Sequence, residues 1–125
     1  MAKITKKTLE NTFRQARGWG HEMWIENLTE YCGKLLIIDK GKKGSLHYHM
    51  NKKETMLVQS GVLGLRLIDP DTGKEYFEFL DKGDSILIPP GQCHQIVNSG
   101  NEELVIIEFS TFHEETDSYR VQKGD

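Results

Sequence analysis

The stretch GKKGSLHYHMNKKETMLVQSG, residues 41–61, sets two histidines and a glutamate between short apolar runs. His47 and His49 are one residue apart, and the side chains of a β-strand alternate between its two faces. On a strand, both imidazoles therefore point the same way. Glu54 follows a short polar segment, at the start of the next apolar run, so its carboxylate can fold back to the same point. These three side chains are candidate ligands of a metal ion.

A second stretch, GDSILIPPGQCHQIVN at residues 83–98, supplies one more histidine. His94 lies just after the turn Pro89-Pro90-Gly91, where two prolines restrict the backbone and aim the segment that follows. Three imidazoles and one carboxylate suit a divalent first-row metal such as Zn, Mn, Fe, Ni or Cu. An ion that prefers six ligands would keep positions for water or substrate. The predicted metal ligands are His47, His49, Glu54 and His94.

From residue 34 onward, apolar or β-branched runs alternate with turns rich in Gly, Pro and Asn. Short strands with such turns at regular spacing are typical of an antiparallel sandwich or barrel. We therefore predict an all-β fold for this part of the chain. The expected strands are 35–38, 46–50, 55–59, 62–68, 76–80, 85–88, 92–97 and 104–109.

The first 33 residues are predicted to contain a short helix and one strand. Residues 5–17 carry Leu9 and Phe13 four positions apart, on one face of a helix, and glycines follow that would end it. Residues 21–28 alternate loosely, as a strand would. We expect residues 1–33 to pack on a barrel of residues 34–125 within one domain. The thin helix and the strand edges also fit a homodimer, in which one chain covers the sheet edge of another.

Length and charge exclude several classes of partner. The chain has 125 residues, close to the usual size of one domain, and its 16 basic and 19 acidic residues give a net charge of −3. Nucleic acid is not an expected partner, because proteins that bind it usually carry a basic face. No run approaches the roughly 20 apolar residues of a membrane helix, so we expect no membrane partner. The two cysteines form no close pair and indicate a reduced, cytoplasmic setting.

The two quoted stretches resemble the two sequence motifs of the cupin superfamily. The first reads Gly, five residues, His-x-His, four residues, Glu, six residues, Gly. The second reads Gly, five residues, Pro-Pro-Gly, two residues, His, three residues, Asn. Every defining position of both motifs is filled. The resemblance implies a double-stranded β-helix, or jelly-roll, barrel, and it assigns metal binding to the same three histidines and glutamate.

Flanking residues are similar to the core domain of the type II mannose-6-phosphate isomerases. The chain departs from that family at His47, where the family has glutamine, at Lys52–Thr55, and in residues 121–125, which replace its terminal motif. The resemblance implies an aldose–ketose isomerase or epimerase with a sugar or sugar phosphate as its small-molecule ligand. The similar segments are Trp19-Gly20, Lys34–Ile38, Ser45–His49, Ile107–Ser110 and Asp117–Arg120.

An isomerase of this kind needs a base that moves a proton next to the substrate carbonyl, while the metal stabilises the negative charge that forms. Glu108, His113 and an unligated Glu54 are the candidate bases. Arg120 is the candidate partner of a phosphate, which its planar fork of donors fits. Two alternatives stay open. Three histidines and a glutamate also resemble the ligand set of iron or copper cupin dioxygenases, and a cupin can be a non-catalytic carbohydrate-binding module.

Overall fold

Residues 2–125 are described by the structure, a computed structural model. In this part of the chain, eleven β-strands form, and the helical segments are two 3₁₀ turns, Leu9–Asn11 and Glu115–Asp117. Among these residues no helix has the length and apolarity to cross a bilayer. The all-β prediction is confirmed. The strands are β1 (Phe13–Arg17), β2 (Gly20–Asn27), β3 (Cys32–Ile38), β4 (Leu46–Tyr48), β5 (Glu54–Ser60), β6 (Leu63–Ile68), β7 (Glu75–Leu80), β8 (Ser85–Ile88), β9 (His94–Asn98), β10 (Leu104–Ser110) and β11 (Tyr119–Gln122).

The strands form two antiparallel sheets. The larger sheet has the order β1-β2-β3-β10-β5-β8, and the smaller one has the order β11-β4-β9-β6-β7. Each sheet keeps its own two edge strands in the described part of the chain, so the strand pairing shows a two-layer, jelly-roll-like arrangement and not a closed barrel. β1 and β2, from the first 33 residues, extend the larger sheet through the β2–β3 pair.

Inward-facing residues change character along the strands, and this divides the interior into two ends. On β3, β5 and β10 the buried positions run from aliphatic to ionisable side chains, as Ile106 and Glu108 show on β10. The aliphatic end packs against β6 and β7 of the smaller sheet. Each fully buried aliphatic side chain there contributes about 1.5–3 kcal/mol by leaving water. This core comprises Leu36, Ile38, Met56, Val58, Leu63, Leu65, Leu67, Leu80, Ile88, Leu104 and Ile106.

The predicted helix over residues 5–17 is wrong. Its middle forms only the 3₁₀ turn Leu9–Asn11, and Phe13–Arg17 is the edge strand β1, paired with β2 along its whole length. The apolar pair that suggested a helix buries little, since Leu9 is 51% exposed and Phe13 is 55% exposed. Pairing with β2 gives the backbone a hydrogen-bonded ladder, which outweighs a weak local preference for helix.

Two turns depend on particular residues. Gly61 has φ of +87°, and a Cβ atom there would lie 2.8 Å from the carbonyl oxygen of Glu103, so glycine is required. The side-chain amide of Asn98 donates to the carbonyl oxygens of Ile38 at 3.1 Å and Glu102 at 2.8 Å. Asn98 thereby fixes the turn that follows β9 against the end of β3.

Candidate metal centre

Three imidazoles meet at the polar end of the interior, on the smaller sheet. His47 of β4 lies directly opposite His94 of β9, and residues opposite each other in an antiparallel pair point to the same face. His49 comes two positions after His47, immediately beyond the end of β4, and keeps that direction. The candidate ligand atoms of the three rings all lie within 4.8 Å of one another. This spacing fits three ligands of one metal ion.

Main-chain oxygens orient all three rings. A carbonyl oxygen can only accept a hydrogen bond, so each neutral ring carries its hydrogen on Nδ1 and presents the lone pair of Nε2. Burial, with His94 and then His49 as neighbours, lowers the pKa of His47 to about 3, which keeps that ring neutral. The distances from Nδ1 to oxygen are 3.0 Å for His47 and Ser45, 2.8 Å for His49 and Asp117, and 2.8 Å for His94 and Gln92.

Glu54 joins the imidazoles from the facing sheet. Its Oε1 lies 3.1 Å from Nε2 of His94, and its Oε2 lies 3.7 Å from Nε2 of His49. Burial would raise the pKa of Glu54, but His94 and then Lys52 lower it, so the group is a carboxylate. Burial would likewise lower the pKa of His94, but Glu54 raises it above the usual value. Both carboxylate oxygens and Nε2 of His94 are buried without an aligned hydrogen-bond partner among the described residues. A cation would satisfy all three atoms, so the four side chains fit a divalent metal.

A buried lysine lies behind Glu54. Nζ of Lys52 lies 2.7 Å from Oε2 of Glu108, 3.1 Å from Nδ1 of His113 and 3.3 Å from Oε2 of Glu54. Burial would lower the pKa of Lys52, but Glu108 and then Glu54 raise it, so the ammonium stays charged. Because an ammonium only donates, Nδ1 of His113 accepts from it. Nε2 of His113 then carries a hydrogen and faces Oε1 of Glu115 at 3.3 Å.

These contacts distinguish Glu108 from His113 as candidate bases. Burial, and then the cations of Lys52 and Lys34, lower the pKa of His113 to about 4, so the ring is neutral near pH 7. Both of its nitrogens are engaged by neighbouring side chains. Glu108 is bound by Lys52 through Oε2, and within residues 2–125 its Oε1 makes no hydrogen bond. Glu108 is therefore the group with a free basic atom.

A second ion-pair group lines the same end of the interior, on β1, β2 and β3. Oε1 of Glu22 accepts from Nε1 of Trp24 at 2.6 Å and lies 3.3 Å from Nζ of Lys34, while Oε2 lies 3.3 Å from Nε of Arg17. Burial would raise the pKa of Glu22, but Lys34 and then the Trp24 hydrogen bond lower it. Nζ of Lys34 also lies 4.3 Å from the Trp24 ring centre. These contacts hold a charged wall in place.

His47, His49 and both ion-pair groups line one cavity of about 660 Å³. This volume is within the usual range for small-molecule sites. Arg120 of β11 lies opposite His47 of β4, so it points to the same face, and its exposed side chain forms part of the cavity rim. Within residues 2–125 the arginine ion pairs involve Arg17 and Arg66 but not Arg120. The cavity thus has a cation at its rim that is available to an anionic ligand.

Residues 34–110, more than half of the chain, match the protein family model Cupin_2, described as a cupin domain. The chain belongs to this cupin family. A 71-residue stretch of the cupin is 39% identical to the uncharacterized protein MJ1618 of Methanocaldococcus jannaschii, covering 57% of this chain and 52% of that protein. The match thus spans about half the length of this relative.

Solved structures share the cupin's fold at low sequence identity. The capsular polysaccharide assembling protein CapF of Staphylococcus aureus aligns with a TM-score of 0.80 and 20% identity, over 89% of this chain and 34% of that chain. Oxalate decarboxylase of Bacillus subtilis aligns with a TM-score of 0.79 and 15% identity, over 97% of this chain and 33% of that chain. At these identities the likeness concerns the fold alone, and the cupin spans about a third of either structure.

The cupin fold brings the residues selected from the sequence to one cavity, although they come from distant segments. The three histidines cluster, Glu54 lies against them, Glu108 and His113 meet through Lys52, and Arg120 lies at the rim. Sequence reasoning missed Lys52, Glu22 and Asp117. Strand alternation could have found Glu22, two positions before Trp24 on β2. Lys52 lies in a polar turn, and its burial depends on residues more than fifty positions away.

Proposed function

We propose that this cupin is a metal-dependent aldose–ketose isomerase or epimerase that acts on a sugar or sugar phosphate. The observation that carries the proposal is the arrangement around the cavity. A cluster suited to a divalent cation, a carboxylate with a free oxygen and an unpaired guanidinium all face one space of about 660 Å³. The charged and polar side chains of the cavity suit the hydroxyl groups of a sugar, and apolar side chains such as Trp19 and Ile96 that also line it suit the carbon face of the ring or chain. The resemblance of the flanking segments to type II mannose-6-phosphate isomerases supports the same reaction class.

The four candidate ligands would hold a divalent ion such as Zn, Mn, Fe or Ni. When bound, the ion supplies Lewis-acid stabilisation of negative charge on a substrate carbonyl oxygen. The backbone hydrogen bonds of the imidazoles keep their Nε2 atoms directed inward, and Glu54 adds one negative charge to the set. The ligand set is His47, His49, Glu54 and His94.

Glu108 is the proposed base. Its Oε1 takes a proton from the hydroxyl-bearing carbon beside the carbonyl and returns it to the carbonyl carbon, while the hydroxyl proton passes to the former carbonyl oxygen. One C–H and one O–H bond thus break, and one of each forms. Lys52, 2.7 Å from Oε2, holds the carboxylate in one orientation. His113 accepts from the same ammonium and positions Lys52. In this proposal His113 therefore acts through Lys52 and does not itself carry the proton.

Arg120 is the proposed anchor of a substrate phosphate. Its guanidinium can donate two parallel hydrogen bonds to phosphate oxygens, which a lysine could not do. Its place opposite His47 sets the phosphate at the rim while the carbonyl end of an open-chain sugar reaches inward. This arrangement would favour phosphorylated sugars over free ones.

The proposal is tested by incubating metal-loaded protein with mannose 6-phosphate and related aldoses and following product by NMR. We expect interconversion in at least one case, loss of turnover in Glu108→Gln, and retained turnover in Glu102→Gln, because Glu102 is not among the residues that line the cavity. No interconversion across the panel at full metal occupancy would contradict the proposal.

A dioxygenase is the second candidate function, because three histidines and a glutamate also suit iron or copper. Oxygen uptake by iron-loaded protein with candidate substrates tests it, and protein that is inert to oxygen under these conditions contradicts it. A non-catalytic carbohydrate-binding cupin would instead show ligand-dependent thermal stabilisation without turnover.

We also propose a cytoplasmic homodimer. Cys32 and Cys93 are both free thiols, which supports a reducing compartment. The outer face of the larger sheet exposes Phe109 and Leu87 in one row, 52% and 57% exposed, which supports burial of this face against a second copy. Sedimentation equilibrium tests the oligomeric state, and a monomer at high micromolar concentration would contradict the dimer.

A further inference from the structure

Asp117 is a buried acidic residue that bonds to the segment between two candidate ligands. It ends the 3₁₀ turn Glu115–Asp117 and is only 5% exposed. Oδ1 accepts from the backbone N–H of Met50 at 2.9 Å, and Oδ2 accepts from the N–H groups of Asn51 and Lys52, both at 3.1 Å. Three consecutive amides thus surround one carboxylate.

The backbone of the same residue orients a candidate ligand. The carbonyl oxygen of Asp117 accepts from Nδ1 of His49 at 2.8 Å. The side chain of Asp117 therefore holds the main chain that begins just after His49 and leads to Glu54, while its main chain holds the His49 ring. Asp117 lies outside residues 34–110, which match the cupin family model.

Tight turns such as 50–52 leave amides without partners in regular secondary structure. A carboxylate is a strong acceptor for several N–H groups that point to one place, and charge-assisted hydrogen bonds of this kind are short and directional. Because each amide belongs to the connection between His49 and Glu54, releasing them would free both ends of that connection. The ligands would then lose their common direction even if the two sheets stayed intact.

We propose that Asp117 is a positioning residue of the candidate metal centre, which fixes His49 through its carbonyl oxygen and fixes the turn that carries Lys52 and Glu54 through its carboxylate. This inference rests on the metal site of the proposed function, but it is independent of the substrate and of the reaction. It makes the C-terminal segment part of the metal centre.

The test compares Asp117→Asn with Glu114→Gln, an exposed neighbour in the same segment. Asparagine keeps one acceptor oxygen and replaces the other with a donor that faces the amides of Asn51 and Lys52. Cobalt(II) is the probe, because its absorption spectrum reports ligand geometry as well as occupancy. We expect roughly 10- to 100-fold weaker cobalt affinity and an altered spectrum in Asp117→Asn, the size typical of residues that orient metal ligands. Glu114→Gln should match the parent protein.

A second readout uses the metal-free protein. The Nδ1 proton of His49 should give a slowly exchanging NMR signal in the parent protein and in Glu114→Gln, and should exchange faster in Asp117→Asn. Asp117→Ser retains one small acceptor, so its exchange rate should lie between those of the parent protein and Asp117→Asn. It replaces the asparagine variant if that variant is poorly folded. Unchanged cobalt affinity, spectrum and His49 exchange would overturn the proposal. Absence of isomerase turnover with normal cobalt binding would overturn the proposed function and leave this inference standing.

Discussion

The two sides of the cavity satisfy their buried polar atoms in opposite ways. On the lysine–glutamate side, Lys34 has a carboxylate oxygen at 3.3 Å and Lys52 has one at 2.7 Å. On the histidine side, both oxygens of Glu54 and Nε2 of His94 are buried without an aligned partner among the described residues. Buried polar atoms that make no hydrogen bond are costly, so a folded protein rarely keeps them without a use. The lysine–glutamate side is complete in itself, whereas the histidine side is arranged to receive a cation.

The largest expected effect comes from breaking the completed side. Lys52→Met keeps the length of the side chain but leaves the carboxylates of Glu54 and Glu108 buried without their shared cation. Removing one partner of a buried ion pair destabilises a protein by about 3–5 kcal/mol. We expect the free energy of unfolding of the metal-free protein, measured in urea, to fall by about this amount. Lys53→Met, at the exposed neighbouring position, should change it by less than about 0.5 kcal/mol.

Equal stability of the two lysine variants would contradict this prediction. If Lys52→Met and Lys53→Met were equally stable, the buried pairing would contribute nothing beyond an exposed charge. The short distances from Lys52 to the carboxylates of Glu54 and Glu108 would then not indicate a stabilising interaction.

The next effect concerns the histidine side. His49→Ala removes one imidazole from the cluster and should lower metal affinity by more than about 100-fold, because removing a ligand costs at least as much as removing a residue that orients one. Circular dichroism should show that the sheets remain folded. His21→Ala, which changes a histidine outside the cavity, should retain full metal content by elemental analysis. Unchanged stoichiometry in His49→Ala would contradict the ligand assignment.

The sequence predicted the histidine side better than the lysine–glutamate side for a physical reason. His47 and His49 share a face by strand alternation, and the Pro89–Gly91 turn precedes His94. This local pattern suggested the ligands, and the resemblance to both cupin motifs supported their assignment. Lys52 gave no such signal, because its position in a polar turn is typical of an exposed residue. Its burial arises from contacts with Glu108 and His113, which sequence spacing does not reveal.

Long-range contacts that sequence spacing does not reveal also explain the largest error in the predicted fold. Two apolar side chains four positions apart favoured a helix over residues 5–17, but the β2 strand beside it decided the outcome. Pairing between strands is a tertiary interaction, and it overrides local preference where few apolar residues are at stake. The strands from residue 34 onward were easier, since each is bounded by turn residues such as Gly61 and Asn98 that have a local structural role.

A pH effect of intermediate size should follow from His113. In the folded protein its pKa is lowered to about 4 by burial, Lys52 and Lys34, whereas the ordinary value is 6.5. Between these values the unfolded chain binds more protons, so acid favours unfolding. The stability from this group is complete above about pH 6.5 and is lost as the pH falls toward 4.

His113→Gln isolates this contribution, since glutamine keeps an oxygen that can accept from Lys52. The difference in unfolding free energy between metal-free parent and variant should shrink by an amount on the order of 2 kcal/mol from pH 7 to pH 4, because partial solvent access screens the effect. A difference that is constant over this range would show that His113 is not held neutral by its neighbours.

The smallest effect on the fold, and a selective one on binding, is expected at Arg120, which belongs to neither side. Its guanidinium is exposed and unpaired in residues 2–125, so Arg120→Gln should change the free energy of unfolding by less than about 0.5 kcal/mol. Affinity for a sugar phosphate should fall about 10-fold, equivalent to about 1.4 kcal/mol. Arg14→Gln, on the exposed edge strand, should bind like the parent protein.

Rising salt should weaken the binding of a sugar phosphate to the parent protein more than to Arg120→Gln, since screening acts on exposed charges. Equal losses for phosphorylated and free sugars would assign Arg120 to the sugar and not to the phosphate.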